Sequence, residues 1–255
     1  MLAQGRGQHT GPWRCQACTA GRTLALNFSA AGDSEPDHFV PFFQDLTSRN
    51  RVRFTLYRDG TRLFTGEGIG AVVRNIPARP STYRAVLAVN LAGQKGFSQS
   101  TQTLTDLTVR YMPRGGAALP AGDTCAGRSA GSPCRILPAL TLGYQLATDQ
   151  ENTSSSHTQV LHLRVGHVSY NGAGSHARIT SAAVWVSFNG GRSWQRASLT
   201  GSAGDYTASW PNPASARGTS PAIKVTASDA VGGSITQTVT AAYTIAKTSQ
   251  HRSPQ

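Results

Sequence analysis

Acids are scarce in this chain: twelve Asp and Glu stand among 255 residues, against 24 Lys and Arg. Charged residues of both signs make up only 14% of the sequence. Surface helices are usually dressed with Glu and Lys, so this scarcity argues against a helical protein. Long apolar runs are also lacking. None approaches the about 18–20 residues that a membrane-crossing helix needs. The opening stretch, Met-Leu-Ala-Gln-Gly-Arg-Gly-Gln, has no apolar core of the signal-peptide kind. Read literally, that start excludes export.

What is plentiful is Thr, Ser, Gly, Ala and Val, a balance that suits strands and turns. Apolar and polar residues alternate with period two. Val52, Phe54 and Leu56 alternate with Arg53, Thr55 and Tyr57. Tyr83, Ala85, Leu87 and Val89 alternate with Arg84, Val86, Ala88 and Asn90. The same pattern runs through Leu161–Val165 and Ile223–Ser228. Such strands put one face on a core and the other in solvent, as antiparallel sheets do. Turn signals fall between them. Asp59-Gly60, Asn189-Gly190-Gly191 and Gly232-Gly233 each read as a hairpin.

One stretch breaks the rhythm. From Pro113 to Pro133 the chain is nearly all Gly, Ala, Pro, Ser and Arg, and it reads as a linker. The expected fold is therefore all-β, two tandem immunoglobulin-like antiparallel β-sandwiches. The first spans 11–112 and the second 136–246, with a linker over 113–135 and frayed tails at 1–10 and 247–255.

The basic excess, +12 at pH 7, admits nucleic acid or an anionic polymer as partner. The arginines are scattered singly and form no stripe or basic arm, so nucleic acid is not the expected partner. An anionic cell-wall polymer is.

Four cysteines, Cys15, Cys18, Cys125 and Cys134, leave three readings. Four thiolates can hold zinc, but the second pair is more widely spaced than in zinc knuckles. A redox Cys-x-x-Cys normally opens a helix, and no helical pattern follows Cys18. Local disulfides in an oxidising compartment are the reading taken, with the connectivity left open.

Three motifs invite chemistry. Gly218-Thr219-Ser220-Pro221-Ala222 looks like a serine-peptidase nucleophile block, but no histidine block accompanies it, and a serine nucleophile needs a positioned base. Asp33, Glu35 and Asp37 concentrate acids in one turn and form a weak calcium candidate without EF-hand spacing. Ser187 to Trp194 resembles an Asp-box hairpin, with Asn189 in place of Asp. A propeller would repeat that unit, and this chain has one copy. The expectation is a structural hairpin of Asn189, Gly190, Gly191 and Trp194. Val184, Val186 and Phe188 should face the core, Trp185 the opposite side, and Trp194 should cover the core's end. No cofactor is expected.

Two stretches carry a family resemblance. One is Trp13-Arg14-Cys15-Gln16-Ala17-Cys18 with Gly21–Leu24 and Gly32-Asp33-Ser34. The other is Val184 to Trp194 with Ala222–Ala230, Gly232-Gly233 and Gln237–Val239. In order and spacing they resemble the β-rich C-terminal accessory region of secreted subtilisin-type serine peptidases of actinobacteria. That resemblance implies an extracellular protein, conflicting with the start of the chain, and a peptidase catalytic domain as partner. It carries over no catalytic residue. The function expected is a non-catalytic accessory or interaction module, a truncated or remnant part of such a peptidase. The rival is a fragment of a carbohydrate-active or cell-wall-acting enzyme.

Overall fold

The structure, a computed structural model, describes residues 14–28, 51–93, 98–125 and 133–247. The first part of the chain forms β1 (Arg14–Cys15), β2 (Ala17–Ala20), β3 (Thr23–Asn27), β4 (Val52–Arg58), β5 (Thr61–Glu67), β6 (Gly70–Arg74), β7 (Ser81–Asn90), β8 (Gln102–Tyr111), β9 (Thr124–Cys125) and β10 (Cys134–Ile136). The second forms β11 (Leu140–Leu146), β12 (Thr153–Ser154), β13 (Thr158–His167), β14 (Ser169–Tyr170), β15 (Ala173–Gly174), β16 (Ile179–Ser187), β17 (Gln195–Arg196), β18 (Ser198–Ser202), β19 (Asp205–Pro211), β20 (Ala222–Asp229), β21 (Ser234–Thr240) and β22 (Thr244–Ile245). The described residues contain no α-helix, only one 3-10 turn at Ala214–Ala216.

The strand orders identify the architecture. In the second unit a sheet β11-β13-β19-β18 packs on β17-β16-β20-β21. In chain order these are the A-B-E-D and C′-C-F-G arrangements of an immunoglobulin-like sandwich. The first unit repeats the plan, with β2-β3-β6 over β5-β4-β7-β8. The alternation legible in the sequence supplies both cores. Val52, Phe54 and Leu56 of β4 are fully buried, as are Tyr83 and Ala85 of β7. Phe28 meets Phe54 with ring centroids 5.9 Å apart. In the second unit Leu161, Val184, Val186 and Val225 do the same work.

The two sandwiches are fused edge to edge. One strand of each unit, β8 and β21, pair antiparallel from Ser234↔Thr108 to Thr240↔Gln102. The result is one eight-stranded sheet, β17-β16-β20-β21-β8-β7-β4-β5, whose order is a palindrome about the β21–β8 junction. Left apart, each of these strands would expose a row of unpaired backbone groups, and pairing them removes both edges. On the inner side of the seam the core is locally polar. Gln237 Nε2 donates to Thr105 Oγ1 at 2.8 Å, and both residues are buried. The bond satisfies the buried Gln237 amide donor inside the core. Gln16 N also donates to the Tyr170 hydroxyl at 2.7 Å, a tie between the units.

The stretch 113–135, read from composition as a linker, supplies backbone to the small sheets among its described residues. Its β9 pairs in parallel with β1, and its β10 extends the small sheet beside β2. Leu119 N donates to Cys134 O at 3.0 Å, and Ile136 N to Ala117 O at 2.8 Å. The composition misleads because its glycine is steric. Gly116 holds φ +85° against the Ile136 carbonyl, where a Cβ would collide.

Candidate functional site

The hairpin after β16 is closed by its own side chains. Asn189 Oδ1 accepts from Ser193 N at 2.9 Å and from Ser187 Oγ at 2.9 Å. Asn189 Nδ2 donates to Ser193 Oγ at 2.8 Å, and Ser187 Oγ accepts from Gly191 N at 2.8 Å. Asn therefore performs the turn-closing work with both ends of its amide. Gly190 and Gly191 take φ of +70° and +87°.

That turn delivers Trp194 to an unexpected place. Val184 and Val186 point inward and Phe188 packs partly against the core. Trp194 does not cover the core's end. It is half-buried, and Lys224 Nζ lies 4.6 Å from its ring centroid. The same ammonium lies 5.1 Å from the centroid of Trp185. The reason is register. Trp185 lies on the outer side of β16, directly opposite Lys224 of β20 and Arg196 of β17. Lys224 in turn faces Thr238 of β21. A row Arg196, Trp185, Lys224, Thr238 thus crosses the outer face, spanning about 15 Å at the usual strand spacing. The cation sits on the electron-rich faces of two indoles, a favourable placement.

The first unit carries a related pair. Tyr57 of β4 faces Arg84 of β7, and the guanidinium carbon is 5.4 Å from the tyrosine centroid. Here the cation is neutralised. Arg84 Nε and Nη2 donate to the Asp106 carboxylate at 2.8 and 2.6 Å. In the second unit Thr236 occupies the position equivalent to Asp106. Among the described residues no carboxylate pairs with Lys224.

The remaining candidates are dispersed. Ser220 Oγ lies 3.1 Å from Thr244 Oγ1, a hydroxyl and not a base. His162 is exposed, 3.3 Å from Thr207 Oγ1. Asp33, Glu35 and Asp37 lie outside the described residues. Among the described residues no group of three or more His, Cys, Asp or Glu could hold a metal ion. The cysteines pair as Cys15–Cys18 and Cys125–Cys134, each with Cα atoms 6.0 Å apart. Both disulfides lie where β1 meets β9, with Cys15 opposite Cys125.

Two features had no sequence signal. His167 and Asp229, 62 positions apart, meet inside the second unit at 2.9 Å. A cleft of about 500 Å³ opens where the units join, lined by Arg110, Met112, Ile136, Pro138, Ser175 and Val231. No helix among the described residues is long and apolar enough to cross a membrane.

No family model matches this chain, and no curated protein matches it. A solved structure of the fibronectin(III)-like modules of Clostridium thermocellum CbhA is similar over 100% of both chains, at 9% identity and a TM-score of 0.28. Likeness at that level carries no argument. The immunoglobulin-like assignment rests on the strand orders: an all-β, antiparallel sandwich fold.

Proposed function

We propose that this chain is a non-catalytic accessory module of an extracellular, subtilisin-type serine peptidase, and that it holds the peptidase to an anionic cell-wall polymer. The observation that carries this reading is the outer face of the eight-stranded sheet. It is continuous across both units and is dressed mainly with Ser and Thr. Arg53, Arg62, Arg110, Arg196 and Lys224 add cations from both units, against Glu67 opposite Arg53 and an Asp106 already closed by Arg84. A broad face with one sign of charge in excess attracts a polyanion at several points at once. The net charge of +12 acts in the same direction. Fusion of the units favours the role as well, because a rigid face loses little freedom on binding. The peptidase connection rests on the sequence resemblance alone.

The test is co-sedimentation of the purified chain with cell wall bearing anionic polymers. Retention at low salt, lost as salt rises and lost after the anionic polymers are stripped, is the expected result. Retention indifferent to both would contradict the reading. Mixing the chain with a subtilisin-type catalytic domain tests the peptidase half, and a stable complex is expected.

A further inference from the structure

We infer that the Trp185–Lys224–Trp194 cluster is a subsite for a ring-borne carboxylate, the uronate unit of an acidic polysaccharide. The inference deepens the wall-polymer reading and rests on it.

Its basis is the contrast between two equivalent places on one sheet. In the first unit Arg84 stands opposite Tyr57, and Asp106 of the neighbouring strand closes the charge. In the second unit Lys224 stands opposite Trp185, and Thr236 occupies the place of the acid. Among the described residues no anion closes Lys224, and a ligand would bring one. A carboxylate on an ammonium forms a charge-assisted hydrogen bond, stronger than a neutral one.

The second observation is the pair of indoles. Half-buried Trp185 and Trp194 stand on the second unit's part of the face, where their neighbours are mostly Ser and Thr. An indole offers a flat, weakly negative face to the C–H groups of a sugar ring and excludes water there. Lys224 lies 4.6 and 5.1 Å from the two centroids, so charge and stacking surface sit within one sugar ring of each other. A uronate carries its anion on the ring that stacks. A polyol phosphate has charge and no such ring, and a neutral glycan has the ring and no charge. Arg196, opposite Trp185 on the other side, can take the next carboxylate along the polymer.

The chain should be titrated with oligogalacturonate while its tryptophan fluorescence is followed. Polyphosphate, a neutral cello-oligosaccharide and a single-stranded oligonucleotide serve as competing probes at equal ionic strength. A saturable change is expected with oligogalacturonate, and binding of each other probe at least about tenfold weaker. Lys224→Gln should weaken oligogalacturonate binding by about tenfold, Lys224→Arg should restore most of it, and Arg84→Gln should leave it unchanged. Circular dichroism checks that each variant is folded. Polyphosphate or oligonucleotide bound as tightly as oligogalacturonate would overturn the inference, as would Lys224→Gln binding like wild type. If the wild-type chain ignores oligogalacturonate yet still sediments with wall polymer, the inference alone fails. If it does neither, the accessory reading fails with it.

Discussion

His167 Nε2 lies 2.9 Å from Asp229 Oδ2, and both side chains are withdrawn from solvent, at 4% and 0% exposure. The contact crosses the second sandwich, joining β13 of one sheet to the end of β20 in the other. Asp229 also closes its own hairpin, since Oδ1 accepts from Val231 N at 3.0 Å and from Gly233 N at 2.7 Å. One carboxylate thus satisfies three donors.

Asp229→Ala should therefore be among the costliest single changes in the chain. It strips a buried imidazole and two backbone amides of their acceptor, and a loss of about 3–5 kcal/mol is expected. Urea unfolding measures it. A loss of unfolding free energy under about 1 kcal/mol would show that the site relaxes or admits water.

Alkaline pH should unfold the protein through its buried tyrosines. Burial raises the Tyr243 hydroxyl from its ordinary 10.0 to about 12, with the Trp210 hydrogen bond offsetting part of that rise. Burial likewise raises Tyr83, Tyr144 and Tyr170. The fold favours the neutral phenol, so below pH 10 this contribution is fully present. From about 10 to about 12 the unfolded chain ionises first. Stability then falls by up to about 1.4 kcal/mol per pH unit for each such group. Circular dichroism against tyrosinate absorbance reads it: ionisation and unfolding should coincide. Tyr243→Phe should weaken that slope. It should also cost about 1–3 kcal/mol at neutral pH, because Trp210 Nε1 and Asn212 Oδ1 each lose a partner.

Trp194→Ala should be mild. A buried aromatic costs about 3–5 kcal/mol on truncation, but Trp194 is half-buried on an outer face. About 1 kcal/mol is expected. Gly190→Val should cost more, about 1–2 kcal/mol, because φ is +70° there and a β-branched residue resists that region. Thermal unfolding of the two variants gives the order, and the reverse order would contradict this placement.

Ser220 should not react with a fluorophosphonate probe. Its hydroxyl is shared with Thr244, which also accepts from Gln99 Nε2 at 2.6 Å, and neither group is a base that could activate it. Stoichiometric labelling, abolished by Ser220→Ala, would establish an activated serine and revive the enzyme alternative.

The strands were legible because their periodicity is strong. In β4, β7, β13 and β20 every second side chain is buried, so alternation fixed both the strand and its inward face. Pairing was not legible. Nothing in Gln102–Tyr111 or Ser234–Thr240 distinguishes a strand that ends a sheet from one that continues into another. Only the inward Thr105 and Gln237 hint at a seam, and a polar pair distant in sequence has no local signal. Trp194 was misplaced because the hairpin's path, and not strand parity, decides its face. The Gly-rich composition of 113–135 reads as a linker, whereas Gly116 marks close contact.

The β8–β21 seam is the claim on which the binding face depends, and amide hydrogen exchange followed by mass spectrometry tests it most directly. Peptides covering Gln102–Tyr111 and Ser234–Thr240 should exchange slowly, together, and with the free energy of global unfolding, as interior strands of one sheet do. Rapid exchange of alternate amides along both strands, the pattern of two exposed edges, would contradict the continuous sheet and the single outer face built on it.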